Sequence, residues 1–156
     1  MAIGQMFSQR FGYAVHALAY MAKKPTGELT ALPEVAEWMT AMWPQASDTY
    51  LSNVIQRLAR GGILRSHRGI SGGYSLVRPA KEISLRDLVE LIEGVEVNRC
   101  GLALTPTCPV EPRCAIKRKL SQLEADYLDA LGRVSIAELA KDITLPKRKK
   151  AAAQAK

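Results

Sequence analysis

The chain has 156 residues, 47% of them hydrophobic, 24% charged and 6% aromatic, with a net charge of +7. These proportions fit one compact domain plus an extension and exclude a disordered, collagen-like or disulfide-scaffold chain. The longest apolar run, from Ala14 to Ala22, is interrupted by His16 and falls far short of the roughly 20 residues that span a bilayer. No apolar signal core follows Met1, so a cytoplasmic protein without a membrane partner is expected.

The first helix is predicted over 7–22, where Phe7, Phe11, Ala14, Val15, Leu18 and Ala22 recur at helical spacing. Pro25 and Gly27 break it. A second helix starts near Ala31 with Pro33 in its first turn, where a missing N–H costs nothing. It turns Leu32, Val35, Ala36 and Met39 inward, and the stretch TAMWPQ that follows reads as irregular. Ser47 caps a third helix that Gly61 and Gly62 end, with Leu51, Val54, Ile55 and Leu58 as its apolar stripe. Its opposite face carries Thr49, Ser52, Asn53, Gln56 and Arg60, with Arg57 on the flank and Asp48 as the only carboxylate.

A hairpin follows over 63–79, its tip bearing His67, Arg68 and Gly69. Helix, break, helix, turn, helix, hairpin is the order of a winged helix-turn-helix, so the fold class is mainly α with a small β-wing. Ser84 then caps a helix ending at Gly94, and 95–114 reads as a long Gly/Pro-rich loop. A long helix from Ala115 to Leu131 carries Ile116, Leu120, Leu123, Tyr127 and Leu131 on one stripe. That stripe is either a dimer seam or an internal packing face. Ser135 starts a last short helix, and the basic tail after Pro146 is expected to be unstructured.

Charge is unevenly spread. Residues 1–80 hold 8 Lys/Arg against 4 Asp/Glu, residues 81–145 hold 9 against 11, and the last eleven residues add 5 positive charges. A polyanion met by the N-terminal half is favoured. The third helix suits the task, because Gln and Asn pair with adenine, Arg with guanine, and Ser or Thr with several base edges. Arg68 on a glycine-tipped hairpin suits a narrow minor groove. No C-x-x-C, nucleophile–His–Asp set or phosphate-cradling loop is present, which argues against an enzyme.

All three cysteines, Cys100, Cys108 and Cys114, fall in one loop as C-x7-C-x5-C. An odd, clustered set points to ligation or redox chemistry rather than a disulfide framework. Arg99, Arg113, Lys117 and Arg118 provide the electropositive surroundings that favour thiolates. An iron–sulfur cluster, direct thiol chemistry, Zn²⁺ and no cofactor all remain open.

The blocks YAVHALAYMA (13–22), S-x-x-YL with IQRLARGGILRSHRGISGGYSL (within 47–76) and EISLRDLVELIEG (82–94) resemble the Rrf family of bacterial winged-helix transcription regulators. The resemblance runs from Phe7 to Asp142, and R-G-x-x-G-G-Y at Arg68–Tyr74 is its most specific element. It implies a homodimer on a double-stranded DNA operator. The reading positions it implies are Thr49, Ser52, Asn53 and Gln56 on the helix and Arg65, His67 and Arg68 on the wing. Ser47, Arg57 and Gly69 complete the candidate set. It implies that Leu120, Leu123 and Tyr127 form the dimer seam, and that the cysteines hold a 2Fe–2S or 4Fe–4S cluster sensing iron–sulfur supply, nitric oxide or redox state. The alternative is a cluster-free thiol-based or ligand-responsive regulator of the same fold.

Departures from the family pattern bear on the site. TAMWPQA is longer than the usual turn, and either shifts the recognition helix or extends its predecessor. Ser52 stands where the iron–sulfur-cluster regulator has a glutamate that reads DNA, so a different operator is expected. Lys117 replaces a ligating histidine and Gly12 an aspartate, leaving His16 or Glu111 as the fourth ligand. The expected organisation is a DNA-binding domain over 1–94, a cysteine-bearing sensor loop over 95–115, a dimerisation helix and short helix over 116–145, and a basic tail over 146–156.

Overall fold

The computed structural model describes residues 7–25, 27–94 and 113–145. Three helices come first: α1 (Gln9–Lys23), α2 (Leu32–Met42) and α3 (Asp48–Arg60). An antiparallel hairpin of β1 (Leu64–His67) and β2 (Gly73–Leu76) follows, pairing Leu64 with Leu76 and His67 with Gly73. A 3-10 turn (Ala80–Glu82) leads to α4 (Leu85–Ile92), and α5 (Ala115–Gly132) and α6 (Ile136–Ala140) complete the chain. No helix among the described residues is long and apolar enough to cross a membrane.

Serine punctuates the fold. The hydroxyls of Ser8, Ser47, Ser84 and Ser135 each accept a backbone N–H three residues on, satisfying a donor that has no partner inside its helix. At Ser84 the cap is reciprocal, because Asp87 accepts the Ser84 N–H at 2.7 Å.

The core gathers Leu18, Val35, Leu51, Ile55, Leu58, Ile83, Leu88 and Ile136, all fully buried. The predicted stripe of α3 is therefore the face that seats it. Helix α1 buries more of its circumference than its apolar periodicity indicates, because Tyr13, Ala17 and Tyr20 are enclosed as well. Residues 136–145, grouped from the sequence with the dimerisation helix, return to the winged part. Ile136 N–H donates to Ile83 O, Lys23 Nζ to Lys141 O and Trp38 Nε1 to Thr144 O.

Two expectations need correction. The stretch TAMWPQ is not irregular from its first residue, since α2 runs on to Met42 and Thr40 bonds back to Ala36 O. The cause is aromatic: Trp38 packs on Tyr20 and edge-on to Trp43, which stabilises an extra helical turn. His67 is not at the hairpin tip. It ends β1, and its Nε2 meets Ser75 Oγ across the ladder at 2.8 Å.

The wing gains a third partner that no local pattern marks. Thr30, buried before α2, exchanges backbone hydrogen bonds with Tyr74 at 2.9 and 2.8 Å. The close approach needs Gly73, where an added Cβ would fall 2.7 Å from Thr30 O. Gly69 turns the tip at φ +116°, a region that side chains disfavour.

Beneath the wing, Lys24 is almost enclosed and pairs with Glu28 at 3.1 Å and Glu34 at 2.9 Å, while Tyr20 Oη donates to Glu34 at 2.9 Å. Burial works to raise the Glu34 carboxyl, but hydrogen bonds from Lys24 and Tyr20 outweigh it and hold that group below the ordinary range. Burial beside Glu34 drives the Tyr20 phenol strongly upward. Tyr20 is thus kept as a neutral donor.

Candidate nucleic-acid interface

Seating α3 by Leu51, Val54, Ile55 and Leu58 leaves Thr49, Asn53, Gln56 and Arg60 exposed and Ser52 half-buried. The polar side chains form a ladder along the helix. Gln56 Nε2 donates to Ser52 Oγ and Arg60 Nη2 donates to Gln56 Oε1, both at 3.4 Å. Spacing of four residues puts these groups on one face, and the span from Thr49 to Arg60 is about 16 Å at helical rise. Such a rod matches a major groove about 12 Å wide that accepts one helix.

The start of this helix is anchored by residues without a functional signature in the sequence. Ser47 N–H donates to Tyr13 Oη at 2.8 Å, and the Tyr13 and Tyr50 rings meet edge-on at 4.9 Å. Ser47 spends its hydroxyl on the Tyr50 N–H. Asp48 in the first turn is the only carboxylate on α3, against Arg57 and Arg60 in the last.

Arg57 is placed differently from its neighbours. Its Nε and Nη2 both donate to Leu91 O, at 3.0 and 2.9 Å, so the guanidinium lies against the end of α4. On the wing, Arg65, Arg68 and Gly69 are exposed, whereas His67 is half-buried. Arg78, just beyond β2, pairs with Asp87 at 3.0 Å. Burial tends to raise the Asp87 carboxyl, but Ser84 and Arg78 together bring it below its ordinary value.

The α5 stripe divides in two. Ile116, Leu120 and Leu123 project into solvent, and Leu131 is buried in the core. Tyr127, expected in the seam, is half-buried with its ring 6.4 Å from Phe7 of its own chain.

Of the cysteines, Cys114 is described; Cys100, Cys108 and Glu111 lie outside the described residues. Cys114 is the N-cap of α5, and its Sγ accepts the Lys117 N–H at 3.4 Å. An anionic sulfur ligand is suited to that position, the positive end of a helix dipole. His16 lies on α1 with its Nδ1–H donating to Gly12 O at 2.7 Å and its ring edge-on to Trp43 at 4.7 Å. The His16 ring helps line a cleft of about 220 Å³ with Gly12, Tyr13, Met39 and Trp43. Among the described residues no three His, Cys, Asp or Glu side chains converge as a metal site.

A protein-family model described as "Rrf2: Iron-dependent Transcriptional regulator" matches residues 7–142. Among solved structures, the chain is similar to CymR (YrzC), the global cysteine regulator of B. subtilis, at 21% identity and a TM-score of 0.66, covering 88% of this chain and 98% of that one. It is similar to Staphylococcus aureus CymR at 28% identity and a TM-score of 0.62, covering 88% and 99%. It is also similar to T. potens IscR at 25% identity and a TM-score of 0.66, covering 91% of this chain and 90% of that one.

Proposed function

Because the chain belongs to the Rrf2 family of transcriptional regulators, we propose that it binds a double-stranded operator as a homodimer and that Cys100, Cys108 and Cys114 hold an iron–sulfur cluster controlling that binding. A family of regulators makes the chain a DNA-binding winged-helix protein and not an enzyme. The observation that carries the DNA reading is the α3 face, with exposed Thr49, Asn53 and Gln56 beside half-buried Ser52 on a helix whose other side is wholly buried. In each subunit α3 enters a major groove, and Arg65, Arg68 and Gly69 of the wing reach the adjacent minor groove. His67 braces the wing through Ser75. Residues 1–94 form the DNA-binding unit, 95–115 the sensor loop, and 116–145 the dimerisation helix with the short C-terminal helix, whose residues 136–145 pack back on the winged part. The tail over 146–156 adds sequence-independent affinity for phosphate. The protein works in the cytoplasm, where its DNA is.

Cys114 supports the cluster half of the proposal, because its sulfur sits at a helix N-terminus beside basic residues. With Cys100 and Cys108 it supplies three thiolates. The fourth ligand comes from His16, whose ring lines the cleft beside Gly12, or from Glu111. A bound 2Fe–2S or 4Fe–4S cluster supplies a redox-active centre responsive to iron supply, nitric oxide or oxidants. Anaerobic purification should give a coloured protein absorbing between 300 and 600 nm with matching iron and sulfide, and Cys114→Ser should lose most of both. A colourless, iron-free wild type would overturn the cluster. One observation favours a second reading, a thiol-based regulator: a relative at 27% identity, S. aureus CymR, has been solved in an oxidized form.

A further inference from the structure

Both surfaces assigned to DNA are fastened to one face of the same short helix. At the end of α4, the guanidinium of Arg57 chelates Leu91 O through Nε and Nη2. Carbonyls in a last helical turn have no acceptor role inside the helix, and a cation there complements the dipole. Beside this contact the Leu91 side chain packs directly on Gly61, where an added Cβ would fall 2.5 Å from the Leu91 Cδ atoms. At the start of α4, Asp87 takes the guanidinium of Arg78, two residues beyond β2, at 3.0 Å. Asp87 is itself held by Ser84, through the backbone N–H and the hydroxyl. Asp87 and Leu91 are four residues apart, hence about 6 Å along one side of the helix.

We propose that α4 is a crossbar that sets the spacing and tilt of the recognition helix against the wing, with Arg57 and Asp87 as positioning residues. This rests on the DNA reading above, but it gives Arg57 a role that reaches DNA only through Leu91. A duplex presents its major groove and the neighbouring minor groove at a fixed offset. A domain that already holds both readers at that offset binds without the cost of ordering them.

The crossbar and simple charge contacts differ in sign and in salt dependence. Were Arg57 a phosphate contact, its removal would flatten the plot of log affinity against log salt by about 0.9. A positioning residue lowers affinity and keeps the slope. For Asp87 the contrast is sharper, because removing a carboxylate near a polyanion ought to tighten binding, whereas loosening the crossbar weakens it.

The test is operator affinity by fluorescence anisotropy across a salt series, using a duplex selected from random sequence by the wild-type protein. Arg57→Ala and Asp87→Asn are each expected to weaken binding about 5- to 30-fold with the wild-type slope retained and the melting temperature changed little. Loss of a unit of slope in Arg57→Ala, or equal or tighter binding by Asp87→Asn, overturns the crossbar and leaves the DNA reading standing. A folded wild type that selects no duplex overturns both. Should Asp87→Asn unfold for want of its helix cap, Arg57→Ala leaves the Ser84–Asp87 capping box in place and decides alone.

Discussion

Leu123→Asp is expected to split the proposed homodimer into monomers and to weaken operator binding by roughly a hundredfold or more, the loss that follows when two linked half-site contacts become independent. Leu120 and Leu123 are about half exposed and Ile116 more so, all on the projecting part of α5. Large aliphatic side chains set three and four residues apart on a free helix face form the ridge by which two helices pack. In a two-fold dimer each substitution appears twice near the axis, so one Asp brings two carboxylates into an apolar contact. The variant should keep its own fold, because the winged core is held by Leu131 and Ile136 and not by Leu123. Light scattering gives the mass and a gel shift the affinity. A Leu123→Asp protein that remains dimeric would place the seam elsewhere.

Gly73→Val should have the second largest effect, through the wing. The Cβ position at Gly73 lies 2.7 Å from Thr30 O and 3.0 Å from Thr30 C. Backbone atoms cannot swing aside as a side-chain end can, so the valine must push β2 off Thr30 and break both Thr30–Tyr74 hydrogen bonds. Forced overpacking of this kind costs about 1–3 kcal/mol, or a fall of about 2–12 °C in Tm for a domain of this size. The wing that carries Arg68 moves with β2, so operator affinity should fall at least about tenfold, corresponding to about 1.4 kcal/mol. Gly12→Ala is the control, since a Cβ there meets nothing within 4 Å and alanine favours a helix interior. A Gly73→Val protein with the melting temperature and affinity of the wild type would remove the Thr30 contact from the explanation of the wing.

What could be read from the sequence follows the range of the interactions. The stripe of α3 and the serine starts of α3, α4 and α6 are local, and they appear in the structure as read, whereas Ser8, which caps α1, lies inside the helix predicted from Phe7. The glycines of R-G-x-x-G-G-Y signal a tight turn, but not that Gly73 serves a residue as distant as Thr30. Tyr13 reads as one more ring on an apolar helix, yet it fixes the start of α3 from 34 positions away. Trp38 likewise bonds to Thr144, 106 positions on, and with Trp43 it turns an apparent loop into the last turn of α2. Arg57 shows the limit most clearly. On a helical wheel it flanks the polar face, and only the folded chain brings Leu91 O to it. Tyr127 follows the spacing of Leu120 and Leu123, but the ring of Phe7 draws it onto its own domain.

The central claim is that the exposed side of α3 reads base edges, and Gln56 tests it most directly. Selection of operators from random duplexes by wild type and by Gln56→Ala, read alongside base-resolved protection of the major groove, compares the two proteins on equal terms. Wild type should protect two symmetry-related major-groove patches, and Gln56→Ala should bind the same patches while losing discrimination at one base pair in each half-site. Identical base preferences in the two proteins, or protection confined to the minor groove, would contradict a recognition role for this face.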